Sequence, residues 1–414
     1  MSRFYQLIIF SLILSNSFGQ NTTKSSKTFS CEQILTGTDI ENILTAGPVD
    51  RIVLKCSPRG SGRFQEVSSG KKKDKNYFKK EHNIVWIKFT AKVTGNLTFI
   101  IKPMSQDDDY DFLLFEDHKD FIKGIQTKKI TPIRANISRN IEEKKGITGL
   151  DFSSKKTHNI SGANSNFSKV LSVTKSENYF LAIDNVYNEG KGAIIYFDYY
   201  LTKKISGIIV NEEKSQFLNA EISWNDAETG ETLITTITDS LTGLFEMEVP
   251  YKENNPKQKY VLSAYSKEHF FREKKFTTEE IRSHEFPLIN ILLPKLKKGQ
   301  RNQLHNINFH GDVAKFLTGA YPSLKNLNKL MKRNKSLKIL IEGHTNGCSN
   351  GIDFSQRLSE KRAGAVKKYL IENGISIERI ETVGWNCKHM LFPNAKNGSE
   401  MSLNRRVEIL VLDY

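Results

Sequence analysis

The sequence predicts a multidomain chain: two all-β units, sandwiches or jelly rolls, followed by an α+β unit of order βαβαββ. Three observations carry this. A long opening stretch holds aromatic and β-branched runs with no helical period between them, a second such stretch follows, and the period becomes helical after Leu304. The 414 residues exceed one ordinary core, and 38% hydrophobic with 26% charged residues fits folded domains rather than disorder.

The start of the chain predicts export. Arg3 gives a positive n-region, "LIIFSLIL" (7–14) an apolar h-region, and "SFG" (17–19) a small-x-small cleavage site, so 1–19 is read as a signal peptide. The apolar run is too short to span a bilayer, and no cysteine at the cleavage site suggests lipid anchoring by that route. Residues 20–30, with "NTTKSSKT", are read as a flexible lead-in. In an oxidising compartment, four cysteines suggest bridges. Four cysteines allow three pairings, of which nearness in sequence favours Cys31–Cys56 with Cys348–Cys387, and free buried thiols are the alternative.

Over 31–202 the expected strands are 84–91, 95–103, 110–117, 178–186 and 193–201, with loops at 71–76 and 153–166. Trp86 and Phe89 are expected in the core rather than on a sugar platform. "DDDYD" sets Asp109 and Asp111 on one strand face. With Asp184 they would make oxygen ligands for a structural Ca²⁺, although a solvated acidic turn is the favoured reading. A second β unit spans 203–294, where "TDSLTGLF" marks a turn that uses Gly243 at positive φ. The basic, polar 295–303 stretch is read as a linker.

Over 304–414 the order is strand (304–309), helix (321–333), strand (337–344), helix (354–373) and two closing strands. Pro322 suits a first turn and Gly374 a C-terminal cap. Asp353 and Gln356 have capping-box spacing.

The chain contains no HExxH, G-x-S-x-G, P-loop or GxGxxG pattern, and its Cys and His are too dispersed for zinc, so no enzyme is expected. The net charge of +15 is scattered along the chain without a nucleic-acid motif. Attraction to anionic cell-envelope polymers accounts for it at least as well.

The blocks "IEGHTN", "LSEKRAGAVKKYLIENGI", "RIETVGW" and "NRRVEI" resemble the OmpA-like peptidoglycan-binding domain in order and spacing. The resemblance implies a grip on the diaminopimelate of a peptidoglycan stem peptide, whose free end carries an ammonium beside a carboxylate. By position, Arg362 would take the carboxylate, with Thr345 in the loop before it. The family's acid falls at Asn346, which brings no charge, and its loop Asn falls at Ser355. Asp353 is a substitute carboxylate if it does not cap the helix. Arg405 and Arg406 would support the sheet and loop, Arg406 being the one counted with the binding set. Cys348–Cys387 would staple the loop. Residues 203–294 resemble the carboxypeptidase-regulatory or transthyretin-like β-sandwich, and 31–202 a β-rich domain of exported Bacteroidetes-type proteins.

The expectation is an exported, non-enzymatic Gram-negative envelope protein, periplasmic and associated with the outer membrane. It would dock on peptidoglycan, weakly, and present its β domains to an outer-membrane or secretion partner. The alternative is an adhesin or protein-interaction scaffold whose C-terminal fold no longer binds peptidoglycan.

Overall fold

The computed structural model describes residues 25–69, 76–105, 108–138, 146–160, 165–187, 190–253, 255–283, 286–304, 306–310, 312–348 and 351–414. The expected signal peptide, the start of the lead-in and most of the 71–76 loop lie outside the described residues. Among the described residues, no helix is long and apolar enough to cross a membrane.

Two β-sandwiches share one strand. Ala193–Asn211 runs for 19 residues. Its first half pairs with Gly95–Pro103 and Arg51–Leu54, and its second with Leu244–Tyr251 and Ile289–Leu293. The boundary expected at 202/203 therefore falls inside a continuous strand, where Thr202 faces Pro250 and Lys203 faces Val249. Lys203 and Lys204 lie at that boundary. They stand where the strand passes from one core, with Ile195 and Phe197, to the next, with Ile205 and Ile209.

Facing this sheet in the first sandwich are Leu44–Gly47, Ile84–Thr90, Asn178–Asn185, Tyr110–Glu116, Arg134–Asn136 and His158–Asn159. Phe89, Phe99, Phe112 and Phe197 fill the gap between the sheets. The outer face is also covered. Trp86, Phe115 and Phe180 pack with Phe121 of the short helix Phe121–Gln126 and with Tyr77 and Phe78, which is why "IVWI" is apolar at successive positions rather than alternating. Trp86 and Phe89 are core residues, as expected.

Several elements depart from expectation. Ser26–Phe29, inside the expected lead-in, pairs in parallel with Arg51–Leu54, and Cys31–Cys56 closes that corner. His158–Asn159, inside an expected loop, pairs with Ala135 and Asn136. The helices Cys31–Thr36 and Phe121–Gln126 have six residues each, too few to show a helical period.

In the second sandwich, Thr232–Ile237, Glu221–Asp226, Lys259–Tyr265 and Arg272–Thr277 form the facing sheet. Trp224 stacks on Tyr260 and donates its indole N–H to the Pro250 carbonyl at 3.0 Å. The expected turn is present: Asp239 Oδ1 accepts from the backbone N–H groups of Leu241 and Thr242, and Gly243 adopts φ +65°.

The C-terminal domain has the sheet order Arg301–Leu304, Val407–Asp413, Lys338–Gly343, Ile380–Gly384. The last two strands are parallel and the others antiparallel. Helices Tyr321–Arg333 and Ile352–Glu372 cover one face, burying Leu324, Leu327, Leu330, Ala363, Val366 and Leu370 against Ile339, Ile341 and Ile409. The first strand is earlier than expected; Phe309 instead bridges Phe316 in a small hairpin. A third helix, Gly398–Asn404, precedes the last strand and modifies the expected βαβαββ order.

The expected linker is not a free connector. Lys295 bridges His269, and Leu296 joins the C-terminal core together with Tyr265, Phe270 and Phe271 of the second sandwich. Across the same boundary, Glu273 accepts hydrogen bonds from Ser323 Oγ at 2.6 Å and Asn306 Nδ2 at 2.5 Å, with Asn326 Nδ2 at 3.2 Å. Lys329 and Arg333 both pair with Glu221.

Candidate ligand site of the C-terminal domain

The site forms where strand Lys338–Gly343 hands over to helix Ile352–Glu372. Gly343 sits against the helix so closely that a Cβ there would overlap the Ser359 carbonyl oxygen and meet Ala363 Cβ at 3.4 Å. The strand end and the helix are thereby locked, and the intervening loop projects from a rigid base. Loop residues 349–350 lie outside the described residues.

Thr345 is buried, and its N–H donates to the Asn386 carbonyl at 2.9 Å. Its hydroxyl approaches the Gly347 carbonyl at 3.5 Å, and Ser355 Oγ reaches the same carbonyl at 3.4 Å. Cys348–Cys387 ties the loop to the turn after Ile380–Gly384, with Cα atoms 5.8 Å apart. Both expected disulfide pairings are present.

Asn386, which sequence reasoning missed, organises this region. It adopts φ +44°, a conformation asparagine tolerates. Its N–H donates to Ser359 Oγ at 3.1 Å and its Nδ2 to Gln356 Oε1 at 2.8 Å. Gln356 Nε2 in turn donates to the Gly384 carbonyl at 2.8 Å and to Glu360 at 2.7 Å. The only signal was its place between Trp385 and Cys387.

The capping-box reading of Asp353 and Gln356 is corrected. The helix starts at Ile352 with Gly351 (φ +91°) in the capping position, and no side chain caps it. Asp353 stands exposed in the first turn, while Gln356 is turned to the Asn386 turn.

Arg362 is buried rather than spread on the helix surface, with 1% of it exposed. Its guanidinium lies over the Phe309 ring at 5.2 Å. Burial and the nearby Arg405 charge draw its pKa down to about 10, while Asp312 on the 309–316 hairpin acts in the opposite sense. Asp312 is a second residue missed from the sequence, because no motif connects it with Arg362.

Asn346 is half-buried. Its Oδ1 accepts from Asn404 Nδ2 at 2.7 Å, and Asn404 is fully buried at the end of the third helix. Arg406 points elsewhere: its Nε donates to Glu408 Oε1 at 2.7 Å, and His344 Nε2 lies 3.5 Å from Glu408 Oε2. Burial disfavours ionisation of Glu408, yet His344 and Arg406 outweigh it and hold the carboxyl at about 2. Thr345 and Ser355 thus meet at the Gly347 carbonyl and Asn346 beside them joins Asn404, whereas Arg362, farther along the helix of Ser355, lies over Phe309 and Arg406 pairs with Glu408.

The acids named as candidate Ca²⁺ ligands lie near one another in the first β unit. Asp111 and Asp184 face each other across paired strands, and Asp109 precedes its strand. Asp184 Oδ1 accepts from the N–H groups of His82 (2.9 Å) and Asn83 (2.7 Å), and Oδ2 lies 2.9 Å from His82 Nδ1. Burial, with Asp109 and Asp184 nearby, drives the Asp111 carboxyl well above its usual range. Among the described residues, no group of three or more His, Cys, Asp or Glu is placed to hold a metal ion.

Comparison with known proteins places this domain in a class. Residues 308–405 match the OmpA family, so the chain carries a C-terminal OmpA-family domain. The chain is 36% identical over 117 residues to outer membrane porin F of Pseudomonas aeruginosa, covering 28% of this chain and 32% of the porin. It is 36% identical over 123 residues to the peptidoglycan-associated lipoprotein of Buchnera aphidicola subsp. Baizongia pistaciae, covering 28% of this chain and 64% of the lipoprotein. Among solved structures, the peptidoglycan-associated lipoprotein from Burkholderia pseudomallei is similar at 21% identity with a TM-score of 0.24, covering 25% of this chain and 87% of that one. The chain thus spans about a third of the porin's length and under two thirds of the Buchnera lipoprotein's.

Proposed function

We propose that this protein is a non-enzymatic component of a Gram-negative envelope, exported to the periplasm, that docks non-covalently on peptidoglycan stem peptides through its OmpA-family domain. The observation that carries this is the loop of Thr345 and Asn346, joined to Ser355 at the Gly347 carbonyl and stapled by Cys348–Cys387, ahead of Arg362 on the same helix and within the family-matched segment. Envelope residence is supported by the relatives, one an outer membrane porin and one named for peptidoglycan association. The two sandwiches then stand as the surface offered to an outer-membrane or secretion partner.

Sedimentation of the mature chain with purified sacculi tests the reading. The wild type should co-sediment, and Arg362→Ala should leave more protein in the supernatant. If wild type and variant stay equally in solution, the docking reading is wrong.

A second reading, a scaffold whose OmpA-family fold no longer binds peptidoglycan, is favoured by the burial of Arg362 beneath Phe309 and the lack of an acid at 346. Under it, the wild type would not sediment with sacculi, whereas Asn346→Asp would.

A further inference from the structure

The sequence holds four Asn-Gly steps, at 346–347, 350–351, 373–374 and 397–398. An asparagine followed by glycine is chemically labile, because no side chain shields the next backbone nitrogen from the asparagine's amide carbon. The fold treats these steps differently. Gly374 gives its N–H to the Ile371 carbonyl at 2.9 Å, and Asn373 Nδ2 donates to the Tyr369 carbonyl at 2.8 Å. Glu400 holds both amide atoms of Asn397, at 2.9 and 3.0 Å, where Asn397 caps a helix. Gly351 gives its N–H to the Cys348 carbonyl at 3.0 Å, and Asn350 lies outside the described residues.

Asn346–Gly347 has another set of partners. The Gly347 N–H points to the Met390 sulfur at 3.3 Å, a weaker acceptor than the carbonyls that hold Gly351 and Gly374. Gly347 has φ +75°, and the space a Cβ would fill there is open. Asn346 Oδ1 accepts from Asn404 Nδ2 at 2.7 Å. Asn404 is itself buried and clamped: its Oδ1 accepts the Phe392 N–H at 2.9 Å, and its Nδ2 donates to the Phe392 carbonyl at 2.8 Å. A fixed donor on Oδ1 polarises the Asn346 carbonyl and stabilises the charge that gathers on that oxygen when a nucleophile adds to Cγ. Asn346 is half-buried, so water reaches it.

We propose that Asn346–Gly347 is a self-modification site, at which Asn346 loses its amide and position 346 acquires a carboxylate. The Gly347 nitrogen, giving up its proton, bonds to Asn346 Cγ. The bond from Cγ to the amide nitrogen breaks, and ammonia leaves with a proton in place of the one given up. Water opens the resulting five-membered imide at either carbonyl, to aspartate or to isoaspartate. Water is the one reactant this sequence of steps consumes. The chain then carries an acid where the OmpA-family resemblance places one. That consequence for binding rests on the peptidoglycan-docking reading; the chemistry does not.

The test is a time course. Freshly purified mature chain is incubated in mildly alkaline buffer, and peptide mass spectrometry follows the amide-to-acid mass gain at each Asn-Gly step. In the folded chain Asn346 should convert about tenfold faster than Asn373 and Asn397, the worth of one hydrogen bond to the developing charge. In reduced chain unfolded by denaturant that lead should vanish. Asn404→Ala should slow conversion at 346 by a similar factor. The site is overturned if Asn346 keeps its amide while Asn373 or Asn397 converts, or if the folded chain converts all three alike. The converted fraction, separated on a cation exchanger, should sediment with sacculi more completely than the unconverted. Equal sedimentation overturns the link to binding. If neither fraction sediments, the docking reading fails while a mass gain at 346 still upholds the modification.

Discussion

Glu273 Oε2 accepts a hydrogen bond from the Ser323 hydroxyl at 2.6 Å, across the boundary between the second sandwich and the OmpA-family domain. Three further donors converge on the same carboxyl, from Asn306, Asn326 and Ser263. Burial raises the pKa of Glu273, and these hydrogen bonds restrain the rise. Removing the carboxyl in Glu273→Ala strands buried donors from both domains and should destabilise the chain by about 3–5 kcal/mol. In denaturant the wild type should unfold these two domains in one transition. Glu273→Ala should separate them, and a single unshifted transition would count against the coupling.

Gly343 is the point where strand meets ligand-loop helix. Gly343→Ala would push its methyl into the Ser359 carbonyl and displace the helix that bears Arg362. Overpacking of this kind costs about 1–3 kcal/mol. A lower Tm together with weaker sacculus binding is expected, and an unchanged Tm would mean the strand and helix separate freely.

The Cys348–Cys387 bridge closes a 39-residue separation, and the paired serine variant should lose about 2–4 kcal/mol. Hydrogen exchange should quicken at Thr345–Gly347, while the distant Cys31–Cys56 corner should not change. Equal exchange in both forms would show that Asn386 alone secures the loop.

Glu81 predicts a pH dependence. Burial is the main cause that lifts its carboxyl to about 8 from 4.5, with Glu66 and Asp184 adding to it and the Val67 N–H and Ser68 hydroxyl opposing it. Between those values the folded chain holds a proton that the unfolded chain has released. The stabilisation is complete below about 4.5 and is lost as pH rises through about 8. The full span is on the order of 5 kcal/mol. Denaturant midpoints should fall between pH 6 and pH 9 in the wild type and fall less in Glu81→Gln; identical slopes would exclude Glu81 as the source.

The C-terminal domain was legible because its signals are local. Leucines at helical spacing, "EGHTN" after an apolar strand and "RRVEI" before the close each specify an element without long-range information. The partners within the site were not legible. Asn404 meets Asn346 from 58 residues away, and nothing in either neighbourhood reports it. The start of the Ile352–Glu372 helix was misread because Asp353 and Gln356 have capping spacing, whereas the backbone turns at Gly351 instead. "PKLKKGQ" reads as a linker by composition, yet Leu296 in the core and backbone bonds from Leu296 and Gly299 hold it in place. The continuity of the strand Ala193–Asn211 is not legible, because its partners change partway along it and the sequence carries no mark of which strands it pairs with.

That undivided strand has a mechanical consequence. If the OmpA-family domain is held by the cell wall and the first sandwich by an outer-membrane partner, a pull between them runs along Ala193–Asn211. There it is resisted by ladders of hydrogen bonds on both sides of the strand, loaded in shear. The load then passes through the Glu273 junction rather than through a slack tether. The protein would behave as a stiff strut, setting a fixed distance between the wall and whatever its far end grips.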